Sequence, residues 1–258
     1  AYLNIDPEMV LPSSTGLIGV ELPMALIRNG VVNVKLSRVG GHDLARAILT
    51  TDTGTKEIAV SFQVEGGFYS LGGIAKGSGM VHPNMATMLA FLTTDAPVEQ
   101  QFLRDALAKA VDSSFNMISI DGDTSTNDSV ILLANGVAGG DQIGAGGPGE
   151  EIFIRALGVV CTTLAKEIAR DGEGATKLIE VNVKGALTES DARAAARAVA
   201  SSTLVKSAIH GGDPNWGRII VALGYSGAEL EESRVGLFIN DICIMEGGSP
   251  AELLEEGG

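Results

Sequence analysis

The sequence Ile58–Val64 (IAVSFQV), followed by Glu65–Gly67 (EGG) and Phe68–Leu71 (FYSL), decides the fold class of this 258-residue chain. Two runs of β-branched and aromatic residues flank a short glycine turn, a pattern typical of an antiparallel hairpin. Neighbouring hairpin strands are not typical of a doubly wound parallel sheet, in which each strand is followed by a helix. The hairpin therefore favours an α+β fold, arranged as a mixed α/β layered sandwich.

Outside the hairpin, alanine-rich amphipathic stretches alternate with short β-branched runs. Helices are predicted over Glu150–Arg170, over Ser190–Ala200, and from Pro97 onward with Asp95 as the N-cap. The glycine-rich segment 136–149 is predicted to be a surface loop. Further strands are predicted over Asn116–Ile120, Val130–Leu133, Leu178–Val183, Arg218–Leu223 and Val235–Met245.

Composition and charge narrow the class of protein. Hydrophobic residues make up 45% and charged residues 19% of the chain, as in an ordinary globular domain. The formal net charge of −14 repels phosphate backbones, so we expect no nucleic-acid partner. Cys161 and Cys243 lie in apolar stretches and form no disulfide framework, which favours a cytoplasmic protein. The sequence has no stretch of about 18 apolar residues, so we expect no membrane partner.

Nucleotide and metal sites have little support in the sequence. Gly144–Gly149 matches a dinucleotide-binding glycine pattern, but no predicted strand directly precedes it and Pro148 occupies the turn. His42, His82 and His210 have no second ligand at metal-binding spacing. We therefore expect no metal and no cofactor, and chemistry based on threonine, serine or lysine becomes the alternative.

Three polar, glycine-containing clusters lie between apolar segments, where loops commonly carry functional sites. They are Ser13–Gly16, Lys76–Thr87 and Arg170–Lys177. The small residues of the first cluster suit a backbone N–H and a hydroxyl placed against a bound carbonyl. They suit equally well the N-cap of a helix over Leu22–Ile27. Residue type and spacing alone leave each cluster open as a functional site.

Six separated motifs follow one another in the order found in a known family. They are Ser14–Gly19, Thr50–Thr53, Gly73–Met80 with Pro83–Leu89, Asp121–Asp128, Arg170–Lys177 and Asp213–Arg218. With these motifs the chain resembles the ornithine acetyltransferases, also called bifunctional glutamate N-acetyltransferases.

The resemblance implies a self-cleaving acyltransferase with an N-terminal-nucleophile-like fold. Residues 1–175 would form the catalytic α/β domain with the cleavage site, and residues 176–258 a smaller α/β C-terminal domain. Thr87 would attack the Ala86 carbonyl and divide the precursor into an α chain ending at Ala86 and a β chain beginning at Thr87. The freed α-amino group, with a reference pKa of about 8, would then act as the base for the same hydroxyl.

The resemblance also assigns the residues around the nucleophile. Thr15 and Gly16 match the pair that forms the family's oxyanion hole. Four residues match the positions that contact substrate, namely Thr50, Lys76, Thr87 and Glu173. We expect Lys76 to meet a substrate carboxylate and Glu173 an ammonium group, since an amino-acid substrate carries both charges.

The implied reaction belongs to arginine biosynthesis. The acetyl group of N-acetylornithine passes to glutamate by a ping-pong route through an acetyl-threonine. Some relatives also make N-acetylglutamate from acetyl-CoA, so this second donor stays open, although the sequence has no phosphate cradle or basic patch for its nucleotide end. The implied partners are these substrates and the α and β pieces of one precursor, as α2β2 or larger. Two alternatives remain open. One is a self-cleaving amidase or aminopeptidase, and the other is a non-catalytic fragment or an uncleaved structural paralogue.

The resemblance does not give a catalytic role to every motif, and it does not extend over the whole length of the family's chain. We interpret Asp121–Asp128 and Asp213–Arg218 as polar turns held by Asx-type hydrogen bonds, without a catalytic role. Residue 1 falls well inside the family's usual chain. The sequence also stops before the tail that supplies an asparagine and a hydroxyl residue to the substrate pocket. We therefore expect the N-terminal and C-terminal parts of the family's chain to be missing from this one.

Overall fold

The computed structural model describes residues 5–82 and 88–251, and the chain divides into two compact units, Ala1–Ala175 and Thr176–Gly258. Within its described residues, the first unit has the helices α1 Met24–Asn33, α2 Gly41–Ala47, α3 Gln100–Asp112 and α4 Glu150–Arg170. Its strands are β1 Lys56–Val64, β2 Gly67–Lys76, β3 Leu89–Thr94 and β4 Ser129–Ala134. The second unit has the helices α5 Glu189–Ser201, α6 Thr203–Gly211 and α7 Trp216–Gly224, and the strands β5 Leu237–Ile239, β6 Ile242–Glu246 and β7 Ser249–Pro250.

The first unit contains one mixed four-stranded sheet in the order β1-β2-β3-β4. The predicted hairpin is confirmed, because β1 and β2 pair antiparallel from Lys56 opposite Ala75 to Val64 opposite Gly67. β2 also pairs antiparallel with β3, whereas β3 and β4 run parallel. A parallel pair requires a long crossover connection, and α3 lies within it. The expected mixture of α and β elements is therefore confirmed.

One face of the sheet forms the main hydrophobic core with α3 and α4. Alternate residues of β1 and β2 point inward, so Phe62, Tyr69 and Leu71 are buried. Phe153 of α4 packs edge-on against Phe62, with ring centroids 6.0 Å apart. The long predicted helix over Glu150–Arg170 is confirmed at both ends, and its buried face lies on β1 and β2.

Gly73 of β2 allows α4 to lie directly on the sheet. A Cβ atom at this position would come within 2.6 Å of Leu92 Cδ2 and 3.0 Å of Leu164 Cδ1. Real Cβ atoms do not approach other atoms so closely, because interiors are packed to crystal-like density. Glycine at position 73 thereby sets the distance between the sheet and the helix.

In the second unit, α5, α6 and α7 surround a small core of Val199, Val205 and Ala222. The strands β5, β6 and β7 form a separate antiparallel sheet. The predicted single strand over Val235–Met245 is in fact the β5–β6 hairpin. Its turn includes Asn240, whose φ of 53° is one that asparagine tolerates better than most residues.

Three strand predictions were wrong. Asn116–Ile120 begins inside a 3-10 turn, Phe115–Met117, that is held by the buried Phe115 ring. Leu178–Val183 has the predicted alternation of half-buried and exposed residues, but it pairs with no strand among the described residues. Arg218–Leu223 lies in helix α7, where Ile219, Ala222 and Leu223 share one face of the core at helical spacing. Packing outweighed β propensity there.

The predicted cap of α3 was also wrong. Asp95 instead accepts a hydrogen bond from the Ser70 amide at 2.7 Å and so holds β2. The helix begins at Gln100, and the Glu99 carboxylate caps it by accepting from the Gln101 and Phe102 amides. The glycine-rich segment 136–149 is largely a loop as predicted, although Ile143 within it is only 1% exposed.

Replacing Gly73 with alanine should lower the free energy of unfolding by about 1–3 kcal/mol, because the added methyl group overpacks the interface between β2 and α4. Urea unfolding measures the change. Gly72→Ala is the matched control on the opposite face, where a Cβ would meet the Ile58 oxygen at an ordinary 3.6 Å. The control should change stability by less than about 1 kcal/mol. Equal loss in both variants would show that packing against α4 is not the reason for glycine.

Candidate functional site

Lys76 is the last residue of β2 and lies almost completely inside the first unit, with 2% of its surface exposed. Its Nζ donates to Thr50 Oγ1 at 2.7 Å, and among the described residues this is its one hydrogen-bond acceptor. Burial lowers the pKa of Lys76, because a charged ammonium group is poorly solvated there. The described residues provide no acceptor for the other two N–H donors of this ammonium group, and such donors suit a negatively charged ligand.

The Asp52 carboxylate, whose side chain is fully buried, holds the loop that carries Thr50 against the end of β2 that carries Lys76. Its Oδ1 accepts from the Gly77 amide at 2.7 Å, and its Oδ2 accepts from the Thr50 amide at 3.2 Å. Burial alone would raise the pKa of Asp52, but the Gly77 amide and the Lys56 ammonium group outweigh it and keep this pKa below its usual value. Asp52 therefore holds Thr50 and Lys76 in contact with each other.

Lys56 connects Asp52 to the end of α4. Its Nζ lies 2.7 Å from Asp52 Oδ1 and 2.6 Å from Asp171 Oδ2. Asp171 also accepts from the Thr53 amide at 2.9 Å. We call Asp52, Lys56 and Asp171 the charged bridge. Since Asp171 follows the last residue of α4, the bridge fixes the start of the next loop relative to the sheet.

Glu173 lies in that loop, two residues beyond Asp171. Its backbone amide donates to the Ser78 carbonyl at 2.7 Å, and its side chain is exposed. A Cβ atom on Gly79 would come within 2.8 Å of the Glu173 carboxylate, so a side chain at position 79 would displace this carboxylate from its observed position. Thr50, Lys76 and Glu173, all predicted as substrate contacts, therefore lie around the segment that follows β2.

The predicted oxyanion-hole residues lie in a segment of the same unit that is neither helix nor strand. Thr15 is half-buried and Gly16 is exposed. The preceding carbonyl, that of Ser14, accepts a hydrogen bond from Asn127 Nδ2. The alternative interpretation of Ser13–Gly16 as a helix cap was wrong, because α1 begins at Met24 directly after Pro23.

Ala86 and Thr87, the predicted cleavage site and nucleophile, lie outside the described residues together with 83–85. Both flanks of this segment are described. Asp121 accepts hydrogen bonds from the Met80 and Val81 amides before it, at 2.5 and 3.1 Å. Asp128 accepts from the Met88 amide after it, at 3.0 Å.

The interpretation of Asp121–Asp128 as a polar turn was therefore incomplete. The Asx-type bond is present, from the Asp123 amide to Asp121 Oδ1 at 3.1 Å. The same segment also makes long-range bonds to both flanks of 83–87 and to Ser14. The sequence signal was an aspartate at each end of the motif, but spacing along the chain does not show which backbone amides lie opposite.

The other predicted motif, Asp213–Arg218, has a structural role in the second unit. Arg218 donates to the Leu204 carbonyl at 2.9 Å, and Trp216 is the first residue of α7. Among residues 5–82 and 88–251, no group of three histidine, cysteine or acidic side chains is arranged to hold a metal ion. In the same part of the chain, no helix combines the length and the apolar character needed to span a bilayer.

The fold and the site define a mixed α/β protein with a buried lysine, a threonine and an acidic loop gathered at one strand end. Comparison with known proteins identifies the family, because the model of the ArgJ family matches residues 1–257. The chain belongs to the ArgJ family. This confirms the resemblance to the ornithine acetyltransferases.

The relatives are close in sequence and longer than this chain. The arginine biosynthesis bifunctional protein ArgJ of Symbiobacterium thermophilum is 56% identical over 250 residues, which are 96% of this chain and 62% of the relative. The Bacillus subtilis protein of the same name is 47% identical over 255 residues, 99% of this chain and 63% of that protein. The chain thus spans about 62% of the length of such relatives.

A solved structure shows the same relationship in three dimensions. The crystal structure of the arginine biosynthesis bifunctional protein ArgJ from Bacillus halodurans is 44% identical, with a TM-score of 0.61. The match covers 64% of this chain and 76% of that one.

Lys56→Met should lower the free energy of unfolding by about 3–5 kcal/mol, because it leaves two carboxylates of the charged bridge without their cation. Urea unfolding near neutral pH measures the loss. Arg46→Met removes a partner of the exposed Asp43 carboxylate and is the control, with an expected change below about 1 kcal/mol. A loss at Lys56 no larger than at Arg46 would contradict the structural role of the bridge.

Proposed function

We propose that the complete protein transfers the acetyl group of N-acetylornithine to glutamate, through an acetyl ester on Thr87, in arginine biosynthesis. The observation that supports this most is the placement of a buried Lys76 ammonium and an exposed Glu173 carboxylate around the segment after β2. These opposite charges suit the carboxylate and ammonium groups of an amino-acid substrate. Membership of the ArgJ family, whose named relatives are arginine biosynthesis proteins, supports the same reaction.

The proposed maturation step uses the chain's own hydroxyl. Thr87 Oγ attacks the Ala86 carbonyl carbon, and the peptide C–N bond breaks as the amide nitrogen takes a proton. Water then hydrolyses the resulting ester, which leaves a carboxylate on Ala86 and a free α-amino group on Thr87. This amine has a reference pKa of about 8, so it is available as a base near neutral pH.

The transfer has two half-reactions. Thr87 Oγ bonds to the acetyl carbon of N-acetylornithine while its proton passes to the α-amine, which then protonates the departing ornithine nitrogen. Glutamate attacks the acetyl ester in the second half-reaction and leaves as N-acetylglutamate, and Thr87 Oγ regains a proton. Thr15 and Gly16 are proposed to donate hydrogen bonds to the oxyanion in both halves. No metal or redox cofactor is needed to balance these steps.

We also propose roles for the two units and an assembly of the cleaved pieces. We assign catalysis to residues 1–175, with an N-terminal-nucleophile-like fold, and a supporting role to the smaller unit of residues 176–258. The α and β pieces would stay associated as α2β2 or a larger assembly, as the family resemblance implies. Cys161 and Cys243 are free thiols, which supports a cytoplasmic location.

Thr87→Ala should leave the precursor whole and without transferase activity, because the variant lacks the attacking hydroxyl. Intact-mass spectrometry detects the two pieces from a break between Ala86 and Thr87 in the unaltered protein. Thr87→Ser is the matched control, and it should still split because it keeps a hydroxyl. Cleavage at this bond in Thr87→Ala would contradict the mechanism.

Lys76→Met should raise the KM for N-acetylornithine about 30-fold, since losing one partner of a buried charge pair costs about 2 kcal/mol or more. Steady-state assays on the cleaved protein measure this. Lys109→Met, on the exposed side of α3, is the control and should leave the KM unchanged.

The amidase alternative is tested by the same assay without glutamate. An amidase would release acetate under these conditions, at the rate at which N-acetylglutamate forms when glutamate is present.

A further inference from the structure

The charged bridge has two ends, and each end holds a different residue of the proposed substrate site. The Asp52 end binds the backbone on both sides of the Thr50–Lys76 contact, because its carboxylate accepts from the Thr50 and Gly77 amides. Lys76 is the proposed partner of the substrate carboxylate. Loss of the Asp52 carboxylate would therefore release both the Lys76 ammonium group and the hydroxyl that accepts its hydrogen bond.

The Asp171 end holds the loop that carries Glu173, the proposed partner of the substrate ammonium group. The Thr53 amide and hydroxyl both donate to the Asp171 carboxylate, the amide at 2.9 Å. Two residues further along, the Glu173 amide donates to the Ser78 carbonyl at 2.7 Å, and the Ser78 hydroxyl shares a 2.7 Å hydrogen bond with Thr51 Oγ1. The Asp171 end of the bridge thereby places the acidic side of the site.

Lys56 joins the two ends and is itself almost completely buried, with 3% of its surface exposed. Its three N–H donors have three acceptors, namely the Asp52 carboxylate, the Asp171 carboxylate and the Gly54 carbonyl. Lys76 differs, because its one acceptor among the described residues is a neutral hydroxyl. The two buried lysines therefore have different roles, Lys56 within the bridge and Lys76 in the substrate site.

The bridge also acts on the charge of Lys76. Burial lowers the pKa of Lys76, the Asp52 and Asp128 carboxylates act against this, and the Lys56 charge adds to it. An ammonium group must keep its proton to attract a carboxylate. Asp52 thus supports the charged form of Lys76 as well as its position.

We propose that the two aspartates of the charged bridge are positioning residues for opposite ends of the substrate. Asp52, acting through Lys76, sets the affinity for the substrate carboxylate. Asp171, acting through Glu173, sets the affinity for the side-chain ammonium group. This inference rests on the proposed function and adds separate roles for the two aspartates, neither of which binds the substrate itself.

Two acetylated amines separate these roles. N-acetylputrescine is N-acetylornithine without its carboxylate, and it keeps the acetyl group and the terminal ammonium group. An effect that acts through the substrate carboxylate is therefore seen with N-acetylornithine alone. The complete, cleaved protein is assayed for its KM with N-acetylornithine and for the Ki of N-acetylputrescine as a competitor, so the second affinity is measured even where transfer from it is slow.

Asp52→Asn should raise the KM for N-acetylornithine about tenfold and change the Ki for N-acetylputrescine less than about twofold, because a displaced binding group affects only the ligand that uses it. Asp171→Asn should instead raise both constants by the same factor, about fivefold, since both compounds carry the ammonium group. Asp43→Asn alters an exposed carboxylate on α2 and is the matched control, which should change neither constant.

The ratio of this Ki to this KM measures what the substrate carboxylate contributes, and titrations common to both compounds cancel in it. Lys76 attracts a carboxylate below its pKa and loses this ability as the pH rises through that pKa. Asp52→Asn removes a charge that raises this pKa, so the ratio should fall at a lower pH than in the unaltered protein. Asp171→Asn should leave the midpoint of this fall in place. Destabilisation alone would not produce such a difference.

If Asp52→Asn does not fold, the double variant Asp52→Leu/Lys56→Met takes its place. Replacing a buried ion pair as a whole by apolar side chains is tolerated better than removing one partner. The double variant lacks the acceptor for the Thr50 and Gly77 amides, so the ratio of Ki to KM should again fall about tenfold.

An equal change of both constants in Asp52→Asn, or a loss confined to N-acetylornithine in Asp171→Asn, would show that the two aspartates do not have these roles, and the proposed function would stand. If the unaltered complete protein binds N-acetylputrescine as tightly as N-acetylornithine, the contact between Lys76 and the substrate carboxylate is wrong and the inference fails with it. A complete protein without transferase activity would overturn the proposed function as well.

Discussion

The charged bridge of Asp52, Lys56 and Asp171 is the interaction on which the arrangement of the site depends. It joins the loop before β1 and the start of β1, which are neighbours in sequence, to the distant C-terminal end of α4. Buried ions are costly to desolvate, and they are tolerated only where geometry and further hydrogen bonds compensate for the loss of water. Here Asp52 also binds the amides of Thr50 and Gly77, so the same carboxylate that neutralises Lys56 aligns Thr50 with Lys76. The Glu173 loop follows from the Asp171 end of the bridge.

The apolar packing positions the elements that the charged bridge joins. Gly73 lets α4 approach the sheet closely, and the C-terminal end of α4 thereby reaches the loops that carry Asp52. Lys56 and Lys76 are both buried in a protein whose net charge is −14. The acidic surface and the buried cations have different roles. Surface charge supports solubility, whereas a buried cation can bind a carboxylate.

The Asp121–Asp128 loop positions the residues on either side of the segment 83–87. Its two aspartates hold the flanks of that segment, and Asn127 reaches the carbonyl of Ser14 beside the predicted oxyanion residues. One loop therefore contacts the neighbours of the predicted nucleophile and of the predicted oxyanion hole. Such a loop can align two parts of a site that come from separate regions of the chain, which is the usual requirement for acyl transfer.

Family membership, the β1–β2 hairpin and the long helix α4 were all determined by the sequence alone, because each depends on local pattern or on ordered motifs. The structures of Leu178–Val183 and Arg218–Leu223 were not determined by the sequence alone. Alternation indicates a buried face and β-branching indicates a strand propensity, but neither shows whether a pairing strand is present or whether the segment packs as a helix. The separate motifs with Thr50, Lys76 and Glu173 were visible in the sequence, whereas the buried bridge that aligns them was not. Hydrogen-bond partners and burial depend on which distant segments meet, and only the tertiary structure decides that.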